Sequence, residues 1–413
     1  TRIVLPSTSE LTSLSTETSM TINSIELFTG AGGLAMGMQL AGCHHRALIE
    51  WDKDSCDTLR GNISSGYPPA HDWHVIQSDV RKINYSSLDF SVQLISGGPP
   101  CQPFSLGGKH QAYNDHRDMF PEAVRAVREL KPKAFVFENV KGLLRKSFST
   151  YFNYILLQLT YPDVIRTESQ TWFEHLAILE KLHTSGHYSG VKYNVVSRLL
   201  NAADYGVPQS RHRVVIVGFR ENLGVEWSFP DGDYSREALL YKKYITGEYW
   251  ESHRVASNHR TTPTASELKK AQLFASKYAD VKEAPKPWQT VRDAIGDLPD
   301  PQSKAALKIA NHEFRPGARS YAGHTGSVLD EPSKTIKAGA HGVPGGENTV
   351  VLDDGSIRYY TVRESARIQT FPDDYIFCGS WTESMRQIGN AVPVRLAQMI
   401  GESVIKELRR VEK

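Results

Sequence analysis

The chain has 413 residues, 40% of them hydrophobic, and its charged residues nearly balance at a formal net charge of +2. This length predicts two unequal domains, and the small net charge does not distinguish a nucleic-acid-binding protein from an ordinary enzyme. Four cysteines without a CxxC pair or a Cys/His cluster argue against a disulfide framework and a structural metal site. No apolar run is long enough for a membrane helix and no secretory signal is recognised, so we expect a soluble, cytoplasmic protein.

The first half of the chain alternates between strand and helix patterns. Residues 1–20 are rich in Ser and Thr without a hydrophobic period, and we expect them to form a tail. After them the pattern predicts strands at 24–28, 45–50, 74–76, 92–95 and 134–137, and helices at 34–41, 54–62 and 119–130. This alternation is typical of an α/β fold with a doubly wound, mostly parallel sheet, whose ligands bind at the carboxyl ends of the strands.

The second half changes in composition. The hydrophobic period weakens in a polar, tyrosine-rich insertion from 145 to 190, and it resumes at 196–200 and in a strand at 213–218. From 227 to 354 the chain is rich in Pro, Gly, Lys, His and aromatic residues, which predicts a loop-rich second domain. Helices are predicted at 361–370 and 392–408. We therefore divide the chain into a tail (1–20), a cofactor-binding domain (21–220), a smaller second domain (221–380) and a C-terminal segment that completes the first domain (381–413).

A glycine-rich loop, FTGAGGL, follows the first predicted strand. Its glycines let a ligand approach the backbone, and the helix that follows offers N–H groups to a negative group. Glu50 ends the second strand and supplies a carboxylate for ribose hydroxyls, Trp51 supplies an indole face for adenine, and Asp79 lies at the same edge. These residues predict a site for an adenosine cofactor, but the loop alone does not separate NAD from other such cofactors.

One cysteine lies in an unusually rigid turn, SGGPPCQPFS, directly after the fourth strand. The prolines fix backbone angles and the two glycines permit a sharp exit from the strand. Such a turn holds the Cys101 thiol at the ligand-binding edge of the sheet, where a thiolate nucleophile is useful. The other three cysteines are predicted to be small buried side chains.

Further polar side chains are predicted at the same edge. Glu138 ends an apolar strand, where partial desolvation raises a carboxyl pKa as a proton donor to a ring nitrogen requires; a turn cap is the alternative. Arg211 and Arg213 occupy alternate positions at a strand entrance, so both are expected to face one way and to suit phosphate and carbonyl oxygens; an exposed charged edge is the alternative. Asp118 is expected only to start the following helix.

Six motifs together resemble those of the cytosine-C5 DNA methyltransferases, and they occur in that family's order. They are Phe28–Gly33, Pro99–Gln102, Glu138–Val140, Gln209–Arg213, Arg363–Gln369 and Gln387–Pro393. The resemblance implies that the Cys101 thiolate attacks C6 of a flipped cytosine, that Glu138 donates to N3, and that C5 takes the methyl group of S-adenosyl-L-methionine. It groups Gln102 with the catalytic residues and assigns the O2 atom of the base and a nearby phosphate to Arg211 and Arg213.

The resemblance also implies the cofactor contacts and the partners. The expected cofactor-binding residues are Phe28, Gly30, Gly32, Gly33, Leu34, Glu50, Trp51, Asp79, Val80, Pro100, Asn390 and Val392. The second domain becomes a target-recognition domain for double-stranded DNA, with Thr335, Ile336, Lys337 and His341 in its closing part. The insertion at 145–190 either contacts DNA or packs as a lid. We expect a bacterial monomer from a restriction-modification system, with a cognate restriction endonuclease but no stable complex.

Three other functions compete with this interpretation. The first is the same chemistry on tRNA, against which the large second domain argues. The second is an NAD-linked oxidoreductase, which would leave Cys101, Glu138 and the paired arginines without a role. The third is a DNA-binding module without catalysis, which would leave the same residues unexplained.

Overall fold

The protein is described by a computed structural model, whose described residues are 21–88, 90–100, 118–279, 281–319, 325–338 and 348–412. The predicted tail at 1–20 lies outside these ranges. So do three predicted site residues, Cys101, Gln102 and His341.

A seven-stranded sheet forms the centre of the first half of the chain. Its strands are β1 (Ile22–Leu27), β2 (Cys43–Glu50), β3 (Val75–Gln77), β4 (Leu94–Gly97), β5 (Ala134–Val140), β6 (Tyr193–Asn201) and β7 (His212–Arg220). They lie in the order β3-β2-β1-β4-β5-β7-β6. The first five strands pair in parallel, whereas β7 is antiparallel to both β5 and β6. The predicted α/β fold with a mostly parallel sheet is confirmed.

Helices cover both faces of this sheet. Those of the first half are α1 (Gly33–Leu40), α2 (Lys53–Ser64), α3 (Phe120–Leu130), α4 (Ser149–Thr160) and α5 (Trp172–Ser185). Successive side chains of a strand point to opposite faces, so β5 serves two cores. Phe135 and Phe137 pack with α3, α4 and α5, whereas Ala134 and Val136 pack with α1 and the last helix of the chain.

Helices α4 and α5 occupy the insertion at 145–190, where the hydrophobic period is weak. Tyrosines fill buried positions there: Tyr151 and Tyr154 are buried, and the Tyr154 hydroxyl lies 2.8 Å from Nδ1 of His175. Thr171 and Glu174 form a capping box at the start of α5. Hydrogen-bonded tyrosines and a histidine therefore share the buried positions of these helices with aliphatic residues such as Ile155 and Leu176, which weakens the hydrophobic period of the sequence.

The region from 221 to 359 contains short elements. Its helices are α6 (Arg236–Tyr244), α7 (Glu248–Ser252), α8 (Ala265–Tyr278) and α9 (Val291–Ile295). Its strands are β8 (Tyr234–Ser235), β9 (Lys286–Pro287), β10 (Ser327–Val328), β11 (Thr349–Val351) and β12 (Ile357–Tyr359). A small aromatic core includes Tyr249 and Trp250, and the buried Lys243 ammonium beside these rings forms a 2.8 Å ion pair with Glu331.

The chain then returns to the first core through α10 (Val362–Ile368), α11 (Trp381–Asn390) and α12 (Val394–Glu412). Residues of the segment 360–377 share a hydrophobic core with α1 and α2. Helix α12 packs along α1, and a Cβ on Gly37 would lie only 2.3 Å from Cβ of Ala397. Both predicted C-terminal helices are present, and the boundaries at 220 and 380 stay predictions. None of the helices in the described ranges combines the length and apolar character that crossing a membrane requires.

Candidate active site

The glycine-rich loop after β1 has a constrained backbone. Phe28 and Gly30 have φ angles of 57° and 56°, in the left-handed region. Glycine adopts this conformation without cost, but for a phenylalanine it is strained by about 1–3 kcal/mol. A Cβ on Gly30 would meet no atom within 4 Å, so open space lies over the loop. Such strain beside open space is typical of a binding loop.

Glu50 holds this loop to the end of β2. Its Oε2 accepts a 2.7 Å hydrogen bond from the backbone N–H of Gly30, and its Oε1 accepts from Trp51 and Asp52 at 2.9 and 2.8 Å. The side chain is buried, and burial raises the Glu50 pKa against the opposing effect of these donors. Trp51, by contrast, is 71% exposed. The site therefore presents a fixed carboxylate beside an indole face.

Asp79 and Val80 lie after β3 at the same edge. Both oxygens of Asp79 are 3.0 Å from Nε of Arg81, and this contact is the main cause of a lowered Asp79 pKa. Val80 is buried, and its carbonyl accepts a 2.8 Å hydrogen bond from Arg125. The structure places both residues as predicted, and a cofactor role for them stays a prediction.

The C-terminal segment closes over the start of α1. A Cβ on Gly33 would lie 2.4 Å from the backbone oxygen of Val392, so only glycine fits there. Leu34 is buried beside it. The Tyr375 hydroxyl donates a 2.8 Å hydrogen bond to the carbonyl of Ala31. Val392 is buried, whereas Asn390 is exposed.

Glu138 and Arg213 form an ion pair at the ends of β5 and β7. Arg213 Nε lies 2.5 Å from Glu138 Oε1. The guanidinium and the carboxylate are thus in direct contact. Burial raises the Glu138 pKa, and the Arg213 cation opposes the rise. The result is a buried carboxyl paired with a cation, and the sequence analysis did not predict this pairing with Arg213.

The Glu138 carboxyl faces the chain that leads to Cys101. A Cβ on Gly98 would lie 3.4 Å from Oε2 of Glu138. The next residue, Asn139, donates a 2.8 Å hydrogen bond to the carbonyl of Pro99, and Pro100 itself is exposed. The carboxyl and the approach to Cys101 therefore share one edge of the sheet.

Asp118 lies where the described chain resumes, and it is buried. Its Oδ1 accepts a 3.2 Å hydrogen bond from the N–H of Phe120, which agrees with the predicted helix start. Its Oδ2 also accepts from the hydroxyl of Tyr151 in α4. The carbonyl of Pro100 accepts a 3.0 Å hydrogen bond from Met119, so the two ends of the stretch that contains Cys101 are joined.

Arg211 has surroundings quite different from those of Arg213. It is fully buried, and its Nη atoms donate to the carbonyls of Ile336, Gly389 and Ala391 at 3.0, 2.6 and 3.0 Å. The predicted contact of Arg211 with a base is untested. Three backbone carbonyls around a buried guanidinium indicate that it positions the chain.

Two glutamines extend these contacts, and sequence reasoning assigned them no role. Gln209 Nε2 donates to Gln369 Oε1 at 3.0 Å, and Gln209 Oε1 accepts from the N–H of Ile336 at 3.1 Å. Gln369 Nε2 donates to the carbonyl of Ile388 at 2.7 Å. We call Arg211, Gln209 and Gln369 the buried joint. The sequence did contain a signal for both glutamines, because Gln209 begins one of the six motifs and Gln369 ends another.

The predicted recognition residues lie beside this joint. Ile336 is fully buried in the core, and the Thr335 hydroxyl donates a 2.9 Å hydrogen bond to the carbonyl of Ser210. Lys337 is exposed, and its backbone N–H donates to Asn348 at 3.0 Å. Within the described part of the chain, no group of three or more His, Cys, Asp or Glu side chains is arranged to hold a metal ion.

Comparisons with known proteins agree with this geometry. The profile of the family "C-5 cytosine-specific DNA methylase" matches residues 22–161 and 170–406. The type II methyltransferase M.NgoMIV of Neisseria gonorrhoeae is 32% identical over 396 residues, covering 95% of this chain and 99% of that protein. M.Eco47II of Escherichia coli, also a type II methyltransferase, is 31% identical over 94% of this chain and 80% of its own.

A solved structure shows the same fold. The S. pombe Dnmt2 methyltransferase superposes with a TM-score of 0.53 at 17% identity, covering 95% of this chain and 100% of that one. The profile match spans nearly the whole chain, and the two relatives align over 99% and 80% of their own length. This chain belongs to the C-5 cytosine-specific DNA methylase family.

Proposed function

We propose that this DNA methylase transfers a methyl group from S-adenosyl-L-methionine to C5 of a flipped cytosine, within a short recognition sequence, through a covalent bond to Cys101. The observation that carries the proposal is the buried Glu138 carboxyl, paired with Arg213 at 2.5 Å and facing the chain that leads to Cys101. A carboxyl in this position supplies a proton to a base that enters the same edge of the sheet.

The residues around the glycine loop fit S-adenosyl-L-methionine. Open space lies over Gly30, and the exposed indole of Trp51 is free to stack on adenine. Glu50 accepts three backbone hydrogen bonds, which leaves one of the four lone-pair positions of a carboxylate for a ribose hydroxyl. When bound, this cofactor supplies an electrophilic methyl group.

Cys101, Glu138 and Arg213 would each have a separate role in the reaction. The Cys101 thiolate forms a bond to C6 of cytosine while N3 takes the proton of Glu138, and C5 becomes nucleophilic. After methyl transfer the C5 proton leaves to a base, and the bond between sulfur and C6 breaks. Burial raises the Glu138 pKa and so favours the protonated form that the first step needs, while Arg213 stabilises charge on O2 of the base.

We assign different roles to the two arginines. Arg213 lies against Glu138 and is proposed to bind the base, whereas Arg211 donates to three backbone carbonyls and is proposed to position the segments around it. Gln102 is proposed to act beside Cys101. Thr335, Lys337 and His341 are proposed to lie near the DNA in the target-recognition domain at 221–380, and Ile336 is proposed to support them from the core.

The biological role is proposed from the relatives. M.NgoMIV and M.Eco47II bear the names of type II methyltransferases, which supports a restriction-modification function. We propose double-stranded DNA as the substrate, a monomer as the active form, and a cognate restriction endonuclease that forms no stable complex with it. The family profile is that of DNA methylases, so methylation of tRNA is the less favoured alternative.

The test is transfer of labelled methyl from S-adenosyl-L-methionine to unmethylated duplex DNA, with the label located by bisulfite sequencing. Wild-type protein should label C5 of cytosine in one short context, and Cys101→Ser should abolish the label. Glu138→Gln should lower the rate by about 10²-fold or more. Transfer to tRNA in preference to duplex DNA, or full activity of Cys101→Ser, would contradict the proposal.

A further inference from the structure

An exposed surface of mixed character begins where β5 ends. It consists of two apolar side chains, Val140 and Leu144, and three cationic ones, Lys141, Arg145 and Lys146. Val140 is 47% exposed and Leu144 is 40% exposed. We call these five residues the β5 turn surface. Exposed aliphatic side chains among cations need an explanation, since apolar surface is normally buried.

The local fold displays these side chains. Residues 141–144 and 146–148 form two 3-10 turns, in which side chains three positions apart lie on the same face. Lys141 and Leu144 are three apart and therefore share a face. Leu143 between them is fully buried and anchors the turn. The turn thus fixes Lys141 and Leu144 on the outside by burying Leu143.

This surface lies at the mouth of the candidate active site. In the antiparallel pairing of β5 with β7, Val140 is directly opposite Arg213, and Glu138 is two residues earlier in the same strand. The turn at Lys141–Leu144 packs against β7. Burial, and next the Lys141 cation, lower the pKa of His212 at the start of that strand. A substrate whose base reaches Glu138 must therefore extend over or beside this surface.

Two of the cations of this surface, Lys141 and Lys146, are exposed. Within the described residues, neither of them has a carboxylate within ion-pair distance, and they are the cations considered below. Cations that are not neutralised by the protein attract a polyanion. Aliphatic side chains between them suit a polyanion that also presents apolar faces, and a nucleic acid does so through its sugars and bases.

We infer that the β5 turn surface binds the DNA duplex next to the flipped cytosine. Lys141 and Lys146 contact backbone phosphates, while Val140 and Leu144 pack against the sugar or the base exposed by flipping. This inference rests on the proposed function, since it takes duplex DNA as the substrate. It adds a DNA contact that precedes the target-recognition domain in the chain and lies in the turns that directly follow β5.

The first experiment measures the charge contribution. Lys141→Ala/Lys146→Ala is compared with wild type for binding to a fluorescent 30-base-pair duplex, with S-adenosylhomocysteine present, between 50 and 200 mM NaCl. Each phosphate contact removed should reduce the slope of log affinity against log salt by about 1, so the double variant should lose about 2. KM for DNA should rise about tenfold, while KM for S-adenosyl-L-methionine stays unchanged.

A matched control tests whether any exposed cation has this effect. Lys131 precedes β5 and so lies at the opposite end of the same strand, with φ 47°. Lys131→Asn removes the charge and introduces a residue that tolerates this conformation. The slope of log affinity against log salt for this variant should equal that of wild type. A slope reduced equally by Lys131→Asn, or unchanged in Lys141→Ala/Lys146→Ala, would overturn the inference.

The apolar part has its own test. Leu144→Ser should weaken binding by about fivefold at every salt concentration without changing the slope. Binding equal to wild type would remove Leu144 from the interface. Failure of the wild type to methylate any DNA would refute the proposed function, whereas the binding slopes would still decide whether this surface contacts the duplex.

Discussion

Glu26 offers a direct test of how burial controls charge in this fold. It lies in β1 with no exposed surface, opposite Ser96 of β4, whose hydroxyl donates a 2.7 Å hydrogen bond to Oε2. Oε1 has no hydrogen-bond partner among the described residues. Burial is the main cause that raises the pKa of Glu26 from 4.5 to about 8. The folded protein therefore keeps this carboxyl protonated at neutral pH.

The raised pKa of Glu26 makes the stability of the protein depend on pH. Between 4.5 and about 8 the unfolded chain has released a proton that the folded protein still holds. Stability therefore falls as the pH rises through this window, by about 1.4 kcal/mol per pH unit. Between pH 5 and pH 8 the loss is about 3–4 kcal/mol. Glu26→Gln keeps the shape of the side chain and removes its titration.

The assay is urea unfolding followed by tryptophan fluorescence at pH 5, 6, 7 and 8. The free energy of unfolding of Glu26→Gln, relative to wild type, should increase by about 3–4 kcal/mol from pH 5 to pH 8. Glu313 is exposed, so Glu313→Gln should follow wild type at every pH. A difference between Glu26→Gln and wild type that stays constant with pH would refute the reasoning, because it would mean that Glu26 is ionised in the fold.

Three further predictions concern the site. Gly33→Ala should lower stability by about 1–3 kcal/mol, because its Cβ would lie 2.4 Å from the Val392 oxygen, whereas Gly142→Ala should melt like wild type, since its nearest contact is 3.8 Å. Tyr151→Phe should lower the free energy of unfolding, measured in urea, by about 1–2 kcal/mol, as the buried Asp118 loses a donor. Arg211→Met should mainly lower the melting temperature, whereas Arg213→Met should mainly lower the rate of methyl transfer. Equal effects of the two variants on melting temperature and on methyl transfer would contradict their separate roles.

Most strands of the sheet could be predicted from the sequence because they are nearly continuous apolar runs. Ala134 to Phe137 is such a run, and burial on both faces of β5 explains it. The direction of β7 was beyond the sequence, since a buried strand has the same composition in either direction. The helices of the 145–190 insertion were hidden for another reason. Several of their buried positions carry Tyr151, Tyr154 and His175, whose polar atoms find partners only in the folded protein, beside aliphatic residues at the others.

Some features of the candidate site could likewise be predicted from the sequence, and others could not. Glu50 and Glu138 could be predicted because each ends an apolar strand, and the ends of parallel strands share one edge of the sheet. The different surroundings of Arg211 and Arg213 could not be predicted. The two residues are alternate in sequence, yet Arg211 meets carbonyls more than 120 positions away in the chain. Only the long-range packing of Ile336, Gly389 and Ala391 distinguishes the surroundings of the two arginines.

The buried joint also explains why the C-terminal segment must return to the first domain. Arg211 precedes β7, whose Arg213 meets Glu138, so anything that fixes Arg211 also fixes the position of the ion pair. Its three acceptors come from the recognition segment at Ile336 and from the end of α11, whose next residues cover Gly33 of the cofactor loop. A shift of the segment at Ile336 would therefore move the guanidinium that fixes both Arg213, proposed to bind the base, and the residues that cover Gly33 in the proposed cofactor site. Breaking any of these three hydrogen bonds would leave an unpaired polar group in the interior. On the proposed assignment, the segments for recognition, cofactor binding and chemistry all contact the one side chain of Arg211.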